Sequence, residues 1–129
     1  MRRNLFRQLL HQLDLIAELE ETIDRLKQAF PPHFEHMFAA KANTLLRALE
    51  LVRRCGMGCE VASPGELEQA LRAGFEPAQI VFDEPAKTSA VLRRVLELGV
   101  NLNIDNFQEF ERVRSIALEL GLHRLDPSD

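Results

Sequence analysis

The sequence predicts an α/β fold made of about four βα units with parallel strands, preceded by one long N-terminal helix. Short apolar runs rich in β-forming residues alternate with helical patterns along most of the chain, and glycines recur where the helices should end. This alternation builds a parallel sheet with right-handed crossovers, in either a doubly wound sheet or a (β/α)₈ barrel. A complete barrel takes roughly 250 residues. With 129 residues, the chain has the length of half a barrel.

The N-terminal segment is predicted to be one amphipathic helix from about Leu5 to Phe30. It contains no Gly or Pro, and its apolar residues recur at steps of three and four: Leu9, Leu13, Ile16, Leu19, Ile23, Leu26 and Phe30. The two prolines that follow end the helix. Its spacing resembles heptads, so this stripe packs either on its own domain, the commoner fate, or on a partner helix. We assign residues 1–32 to this helix and residues 33–129 to the βα region.

The four βα units follow in series. The predicted strands are Glu35–Lys41, Gly58–Ser63, Gln79–Asp83 and Val100–Asp105. The predicted helices run over about Thr44–Cys55 and open at Pro64, Thr88 and Asn106. The residues that favour helix starts are Thr44, Ser63, Thr88 and Asn106, and those that favour helix ends are Gly56, Gly74, Gly99 and Gly121.

The composition is typical of one globular domain. The chain is 46% hydrophobic, with a formal net charge of −4 and a pI near 5.6. Its 16 basic residues are interleaved with 20 acidic ones, so no basic stripe is available for a nucleic acid. No apolar stretch approaches the roughly 18 residues of a membrane span, and the N-terminus does not resemble a signal peptide. We therefore expect no nucleic-acid or membrane partner and a cytoplasmic location.

The cysteines and histidines do not form a metal motif. Cys55 and Cys59 stand four apart without a second pair, so we expect reduced thiols that are buried or half-buried. His33 and His36 follow the two prolines and are weak metal ligands at that spacing. The sequence therefore predicts no metal site.

Lys41 is the strongest candidate for a reactive side chain. It closes the apolar run Met37–Ala40, and a lysine at the end of a buried strand is partly desolvated, which lowers its pKa toward the nucleophilic amine. Position alone favours the alternative, a surface lysine whose head stays in water. The other two lysines, Lys27 and Lys87, are expected on a polar helix face and at an exposed strand-to-helix turn, where water keeps them protonated.

Several sequence blocks resemble one enzyme family in their order and spacing. They are Phe38–Asn43, Gly58–Leu67, Ala73–Phe75, Ile80–Phe82, Pro85–Thr88 and Gly99–Val100. Together they resemble the N-terminal half of the alanine-racemase-like barrel of the fold-type III pyridoxal-phosphate decarboxylases, the group of diaminopimelate, ornithine and arginine decarboxylases. The resemblance runs in register from about Phe34 to Val113. It implies that the chain is a partial (β/α)₈ barrel of the TIM type.

The resemblance also implies site residues. The family's motif lysine forms the internal aldimine with pyridoxal 5'-phosphate, which makes Lys41 the catalytic and cofactor-binding lysine. An acid, commonly Asp, lies near that lysine in the family; here it is Glu60, one methylene longer, and it is either cofactor-binding or a structural salt-bridge partner. Glu66 is carried over more weakly, as a site residue or as the carboxylate of a capping box. Asp83 and Asp105 are expected to be helix-entry residues.

Other parts of the family's site cannot be placed in this sequence. They are the glycine-rich phosphate loop, the acid at the pyridine nitrogen, the histidine on the ring face and the cysteine loop of the partner subunit. We therefore expect an N-terminal fragment of a diaminopimelate decarboxylase-like enzyme that acts on an amino-acid substrate, is inactive alone and forms a homo-oligomer. The alternatives are a non-catalytic truncated remnant or self-associating module, and an amino-acid racemase of the same fold.

Overall fold

The computed structural model describes residues 2–122, and the chain divides into two compact units, Met1–His36 and Met37–Asp129. The first unit is dominated by helix α1, Arg2–Gln28, which confirms the predicted amphipathic helix. After it, the Phe30 ring lies 5.5 Å from the Phe34 ring and 5.2 Å from the His36 ring, centroid to centroid. None of the helices within residues 2–122 combines the length and the apolar character that crossing a membrane requires.

The second unit contains the predicted parallel sheet. Its strands are β1 (Met37–Ala39), β2 (Gly58–Val61), β3 (Ile80–Phe82) and β4 (Asn101–Leu102), and its helices are α2 (Leu46–Arg54), α3 (Pro64–Arg72), α4 (Ser89–Leu98) and α5 (Phe107–Glu119). Short 3₁₀ turns cover Ala40–Ala42 and Pro77–Gln79. All neighbouring strands are parallel, in the order β1-β2-β3-β4, and the sheet is not closed over the described residues. This confirms the expected α/β architecture of four βα units.

The register gives the sheet two different faces. Ala39 pairs with Glu60, Glu60 with Val81, and Val81 with Asn101, so these four residues form one row across the sheet. Side chains alternate along a strand, and the neighbours of that row are buried: Cys59, Val61, Ile80 and Phe82. The row itself is half-buried to exposed. We call the face that carries Ala39, Glu60, Val81 and Asn101 the open face.

Gly58 is required on the open face by close packing. A Cβ atom built there would collide with Met37 Sδ and would lie 2.7 Å from the carbonyl oxygen of Gln79. The second contact is with backbone and cannot move out of the way as a flexible side chain can. Any side chain at Gly58 would therefore push the first three strands apart.

Three of the four predicted helix starts are confirmed. The side chains of Ser63, Thr88 and Asn106 each accept a hydrogen bond from the backbone N–H three residues later, at 3.2, 3.2 and 2.8 Å. These contacts satisfy N–H groups that have no partner within the helix. The predicted helix-ending glycines all have positive φ, from 73° to 91°.

The fourth predicted start, Thr44, is wrong. Helix α2 begins at Leu46, and Leu45 occupies the cap position without a side-chain hydrogen bond. The reason is local, because Asn43 Oδ1 accepts a hydrogen bond from the Leu45 N–H at 3.0 Å. Because this hydrogen bond closes a turn between Asn43 and Leu45, the helix begins later than predicted.

Candidate active site

Lys41 lies just beyond β1, at the carboxyl edge of the sheet. The strand ends at Ala39, and Lys41 is the middle residue of the 3₁₀ turn Ala40–Ala42. The fully buried Ala40 anchors this turn, and its carbonyl accepts a hydrogen bond from the Asn43 N–H at 3.0 Å. Lys41 itself is exposed. The expectation that the strand end desolvates this lysine is therefore wrong for the described residues, because the turn carries it past the end of the strand and past the buried Ala40.

Glu60 shares the open face with the end of β1. Its Cα is paired with Ala39, two residues before Lys41, and with Val81 on the other side. Glu60 is half-buried, and none of the ion pairs among residues 2–122 includes it. Of the two alternatives for Glu60, the structural salt bridge therefore has no support in the described part of the chain. Glu60 thus remains on the open face without an ion-pair partner among the described residues.

Glu66 caps helix α3. Its backbone N–H donates to Ser63 Oγ at 3.2 Å, while its own Oε2 accepts from the Ala62 N–H at 2.6 Å. In an ordinary capping box the carboxylate reaches the N–H of the cap residue itself. Here it reaches one residue further back. The geometry supports the capping interpretation of Glu66, since both its backbone N–H and its carboxylate form hydrogen bonds at the start of the helix.

A buried ion-pair cluster, which the sequence did not reveal, lies at the same edge of the sheet. Lys87 is only 3% exposed, and its Nζ donates to Asp105 Oδ2 at 2.9 Å and to Glu109 Oε2 at 3.1 Å. The same Glu109 oxygen accepts from the Asp105 N–H at 2.9 Å, and Arg112 Nη1 donates to the Lys87 carbonyl at 2.9 Å. The loop after β3 is thereby tied to the start of α5.

The prediction that Lys87 is exposed is therefore wrong. Burial alone lowers the pKa of Lys87, but its hydrogen bonds to Asp105 and Glu109 and their negative charges outweigh that effect and raise it above 10.5. Lys87 is protonated because it is paired, and not because water reaches it. The sequence did contain a signal for this pairing. Asp105 follows the next strand, and Glu109 lies in the first turn of the helix after it, 18 and 22 residues beyond Lys87.

The two cysteines differ in their environment. Cys59 points to the buried side of β2 and is fully buried, while Cys55 is half-buried, as expected. Within residues 2–122 they form no disulfide. Burial, together with the charges of Glu66 and Glu60, raises the pKa of Cys59 from 9.0 to about 11. Cys59 is therefore a neutral thiol at physiological pH.

Glu84, two residues after β3, has a buried oxygen that lacks a donor. No hydrogen-bond donor among residues 2–122 reaches its Oε2. An unsatisfied buried acceptor costs about 1–3 kcal/mol, so native proteins rarely leave one. The carboxyl edge thus carries a buried carboxylate oxygen that can still accept a hydrogen bond.

Pyridoxal phosphate, the cofactor implied by the sequence blocks, fits this edge at its aldehyde end. Such a cofactor needs an accessible amine, which Lys41 provides, and Glu60 and Glu84 supply carboxylates at the same edge. The phosphate needs N–H groups of a helix start or a glycine-rich loop. The starts of α3, α4 and α5 are already capped by their own side chains, and two of them carry a carboxylate there. These three helix starts are therefore not free to hold the phosphate.

Comparison with known proteins agrees with these features. Residues 16–125 match the family described as pyridoxal-dependent decarboxylase, pyridoxal binding domain. The chain is 44% identical to the diaminopimelate decarboxylase of Pseudomonas aeruginosa over 86 residues, which cover 66% of this chain and 21% of that protein.

Solved structures of the same kind of enzyme superpose on the chain. A mutant diaminopimelate decarboxylase from Helicobacter pylori, complexed with L-lysine, matches with a TM-score of 0.76 and 30% identity over 82% of this chain and 27% of that chain. The ornithine decarboxylase of Entamoeba histolytica matches with a TM-score of 0.72 and 25% identity over 79% of this chain and 30% of that chain. The chain therefore spans less than a third of the length of these relatives.

These matches confirm the predicted resemblance and the partial barrel. The four parallel βα units correspond to the N-terminal portion of the decarboxylase barrel, and the family is pyridoxal-dependent, as the sequence blocks implied. The match includes the block with the exposed lysine and the block with Glu60. The chain belongs to the pyridoxal-dependent decarboxylase family, within its pyridoxal binding domain.

Proposed function

We propose that this chain is the cofactor-attaching part of a cytoplasmic, pyridoxal-phosphate-dependent amino-acid decarboxylase, with Lys41 as the attachment point. The observation that carries the proposal is the exposed amine of Lys41 at the carboxyl edge of a parallel sheet, where barrel enzymes place their reactive groups. The 44% identity to a diaminopimelate decarboxylase supports diaminopimelate as the substrate. A racemase and a non-catalytic remnant have no comparable observation in their favour.

The chain's own residues have distinct tasks in this proposal. The bound cofactor supplies an electron sink for the carbon that loses CO₂. Lys41 holds the cofactor, and Glu60 on the open face favours a proton on a nitrogen held near it. Glu66 and the Lys87 cluster act further out, by fixing the helix starts and loops that surround this edge.

The attachment point can be mapped directly. The full chain is incubated with pyridoxal phosphate, reduced with borohydride and digested, and the labelled lysine is identified by mass spectrometry. The chain has three lysines, and we expect the label on Lys41 because Lys87 is buried and paired. Lys41→Arg is the control and should remove the label. Equal labelling of all three lysines would reject the assignment.

The role of Glu60 has its own test. Loss of its negative charge should make a nearby cofactor nitrogen easier to deprotonate, so Glu60→Gln should shift the absorbance titration of the bound cofactor toward lower pH. Glu97→Gln removes the same charge from an exposed position on α4 and serves as the matched control. If both variants titrate like the parent chain, Glu60 does not face the cofactor.

A further inference from the structure

The first part of helix α1 exposes an apolar stripe. Four residues recur there at steps of three, four and three, which places them on one side of the helix: Phe6, Leu9, Leu13 and Ile16. They are between 39% and 63% exposed. We call these four residues the α1 seam. Most of the seam lies before residue 16, where the match to the decarboxylase family begins, so that match does not account for it.

The seam ends at Glu20, and this residue disfavours a parallel pair of helices. Glu20 follows Ile16 by four residues and is therefore the next position of the same heptad pattern. From Leu19 onward the apolar residues lie on a neighbouring side of α1, where Ile23 is only 4% exposed. In a parallel pair each seam position meets its own copy. Two Glu20 carboxylates would then face each other, and like charges repel.

The charges of α1 are divided along its length. Residues 2–13 contain three arginines and no acid, whereas residues 14–24 contain five acids and no Lys or Arg. A parallel pair places charges of the same sign side by side. An antiparallel pair places the basic part of each copy beside the acidic part of the other, within reach of the roughly 8 Å screening length at physiological salt. Charge therefore favours the antiparallel orientation.

One antiparallel alignment brings all four seam residues together. The alignment that places Phe6 opposite Ile16 also places Leu9 opposite Leu13. Two-fold symmetry makes each of these contacts occur twice, which is the closed arrangement of two identical chains. The seam is thus complementary to a second copy of itself.

The same alignment brings opposite charges together at both ends of the seam. Arg3 lies one residue from the position opposite Glu20 of the second copy, and the reverse holds at the other end. Both side chains are exposed. Neither belongs to an ion pair among residues 2–122, so both are free to pair with another chain.

We propose that two copies of this chain pair through α1 as an antiparallel two-helix coiled coil, with Phe6 on Ile16, Leu9 on Leu13 and Arg3 beside Glu20. The second copy is the occupant because apolar contacts and charge are both self-complementary in this orientation. The seam thereby fixes the orientation, the alignment and the number of copies. The pairing is independent of the cofactor chemistry proposed above.

Spin labels on the full 129-residue chain test the orientation. A cysteine at Leu5 or at Gln12 carries the label, in a Cys55→Ala background, while Cys59 is fully buried and stays unlabelled. Leu5 and Gln12 are one heptad apart, so a parallel pair gives the same label distance at both. In the antiparallel pair the two Leu5 positions are about 18 Å apart along the axis, and the two Gln12 positions about 3 Å. We expect a clearly longer distance at Leu5.

Sedimentation velocity measures the strength of the pair. Leu9→Glu places a charge in the middle of the seam and should weaken the pair tenfold or more. Gln8→Glu adds the same charge at the adjacent exposed position and should change the affinity less than threefold. Leu9 is 50% exposed, so its replacement should leave the fold unchanged, which circular dichroism checks.

Charge reversal tests the alignment. Arg3→Glu places like charges at both ends of the antiparallel pair and should weaken it about threefold. Adding Glu20→Lys reverses the second charge and should restore the affinity. In a parallel pair residue 3 lies beside its own copy, so Arg3→Glu exchanges one like pair for another and has no effect.

Four outcomes would overturn the proposal. The first is a parent chain that remains a monomer at hundred-micromolar concentration, because the seam is then covered within one chain. The second is an assembly of more than two copies. The third is an equal label distance at Leu5 and Gln12, which indicates a parallel pair. The fourth is a double charge-reversal variant that binds no better than Arg3→Glu.

Discussion

Lys41 and Lys87 both follow a strand at the carboxyl edge of the sheet, yet their surroundings are opposite. Lys41 is exposed on a 3₁₀ turn, whereas Lys87 is buried between the carboxylates of Asp105 and Glu109. An amine that attacks a carbonyl must be accessible and must lose its proton. Lys87 meets neither condition, because its neighbours cover it and stabilise its charged form.

Lys87 should instead be a stability residue. Lys87→Ala leaves Glu109 buried without its cation, and loss of one partner of a buried pair is expected to cost about 3 kcal/mol in the free energy of unfolding. Urea denaturation measures it, with the exposed Lys41→Ala as a control that should change stability by less than about 0.5 kcal/mol. Adding Glu109→Gln to Lys87→Ala should recover part of the loss. A cost below about 1 kcal/mol for Lys87→Ala would contradict the ion-pair interpretation.

Cys59 should make stability depend on alkaline pH. Its pKa is raised from 9.0 to about 11 in the folded protein. Between pH 9 and pH 11 the folded chain therefore keeps a proton that the unfolded chain loses. The associated stability is fully present below pH 9 and is lost as the pH rises toward 11. It amounts to about 2–3 kcal/mol.

Denaturation curves collected from pH 8 to pH 11 measure this dependence. Cys59→Ala should be less stable at pH 8, since a buried side chain is shortened, but its stability should fall less over that pH range. Cys55→Ala, at the half-buried thiol, is the comparison variant. If the free energy of unfolding falls equally with pH in the parent chain and in Cys59→Ala, burial does not raise the pKa of this thiol.

At the scale of elements, α3 and α5 begin in the same way. Each has a polar cap residue, Ser63 or Asn106, and an acid three residues later, Glu66 or Glu109. In both, the carboxylate accepts from the N–H of the residue before the cap. The turn before each helix is therefore fixed together with its first turn. This matters for the site because both turns lie at the carboxyl edge of the sheet.

Removal of one cap should loosen its helix start. Ser63→Ala deletes the acceptor for the Glu66 N–H and should lower the free energy of unfolding by about 1 kcal/mol. Ser89→Ala, at the first residue of α4 where Thr88 is the cap, is the matched control and should have little effect. Thermal or urea denaturation distinguishes the two. Equal losses of stability in Ser63→Ala and Ser89→Ala would show that the hydrogen bond from the Glu66 N–H to Ser63 Oγ does not stabilise the protein.

The sequence predicted the helices and strands because their signals are local. It did not predict the contacts between distant segments. Ser63, Thr88 and Asn106 act on N–H groups three residues away, so their function is visible in a short window of sequence. The strands were predicted too long because pairing depends on neighbours from other units, and β4 is reduced to Asn101–Leu102. Lys87 was misplaced for the same reason, since its partners belong to the following unit.

At the scale of the whole molecule, the chain provides one part of a site. It offers Lys41, the attachment lysine proposed above, but the starts of α3, α4 and α5 are capped by side chains and residues 2–122 contain no glycine-rich loop. Without an anchor for its phosphate, the cofactor is not oriented for reaction. The purified chain should therefore release no measurable CO₂ from diaminopimelate, ornithine or arginine, even with millimolar cofactor. Steady release that Lys41→Ala abolishes would contradict this.

The N-terminal unit should make the chain self-associate. Helix α1 exposes an apolar stripe with heptad-like spacing that includes Leu9, Leu13 and Ile16. We expect a dimer or larger species at micromolar concentration in sedimentation velocity, with Leu13→Glu shifting it to monomer. Gln12→Glu places the same charge on the adjacent exposed position as the control. A parent chain that sediments as a concentration-independent monomer would reject this route of association.

The Lys87 cluster also has a consequence for how the chain finds its fold. Strand β4 pairs only Asn101 and Leu102 with β3, and so short a ladder discriminates weakly between neighbouring alignments. A shift of one residue would separate Lys87 from Asp105 and Glu109 and leave buried charge without compensation. The ion pairs of Lys87 therefore favour the observed alignment of β4 over one shifted by a residue.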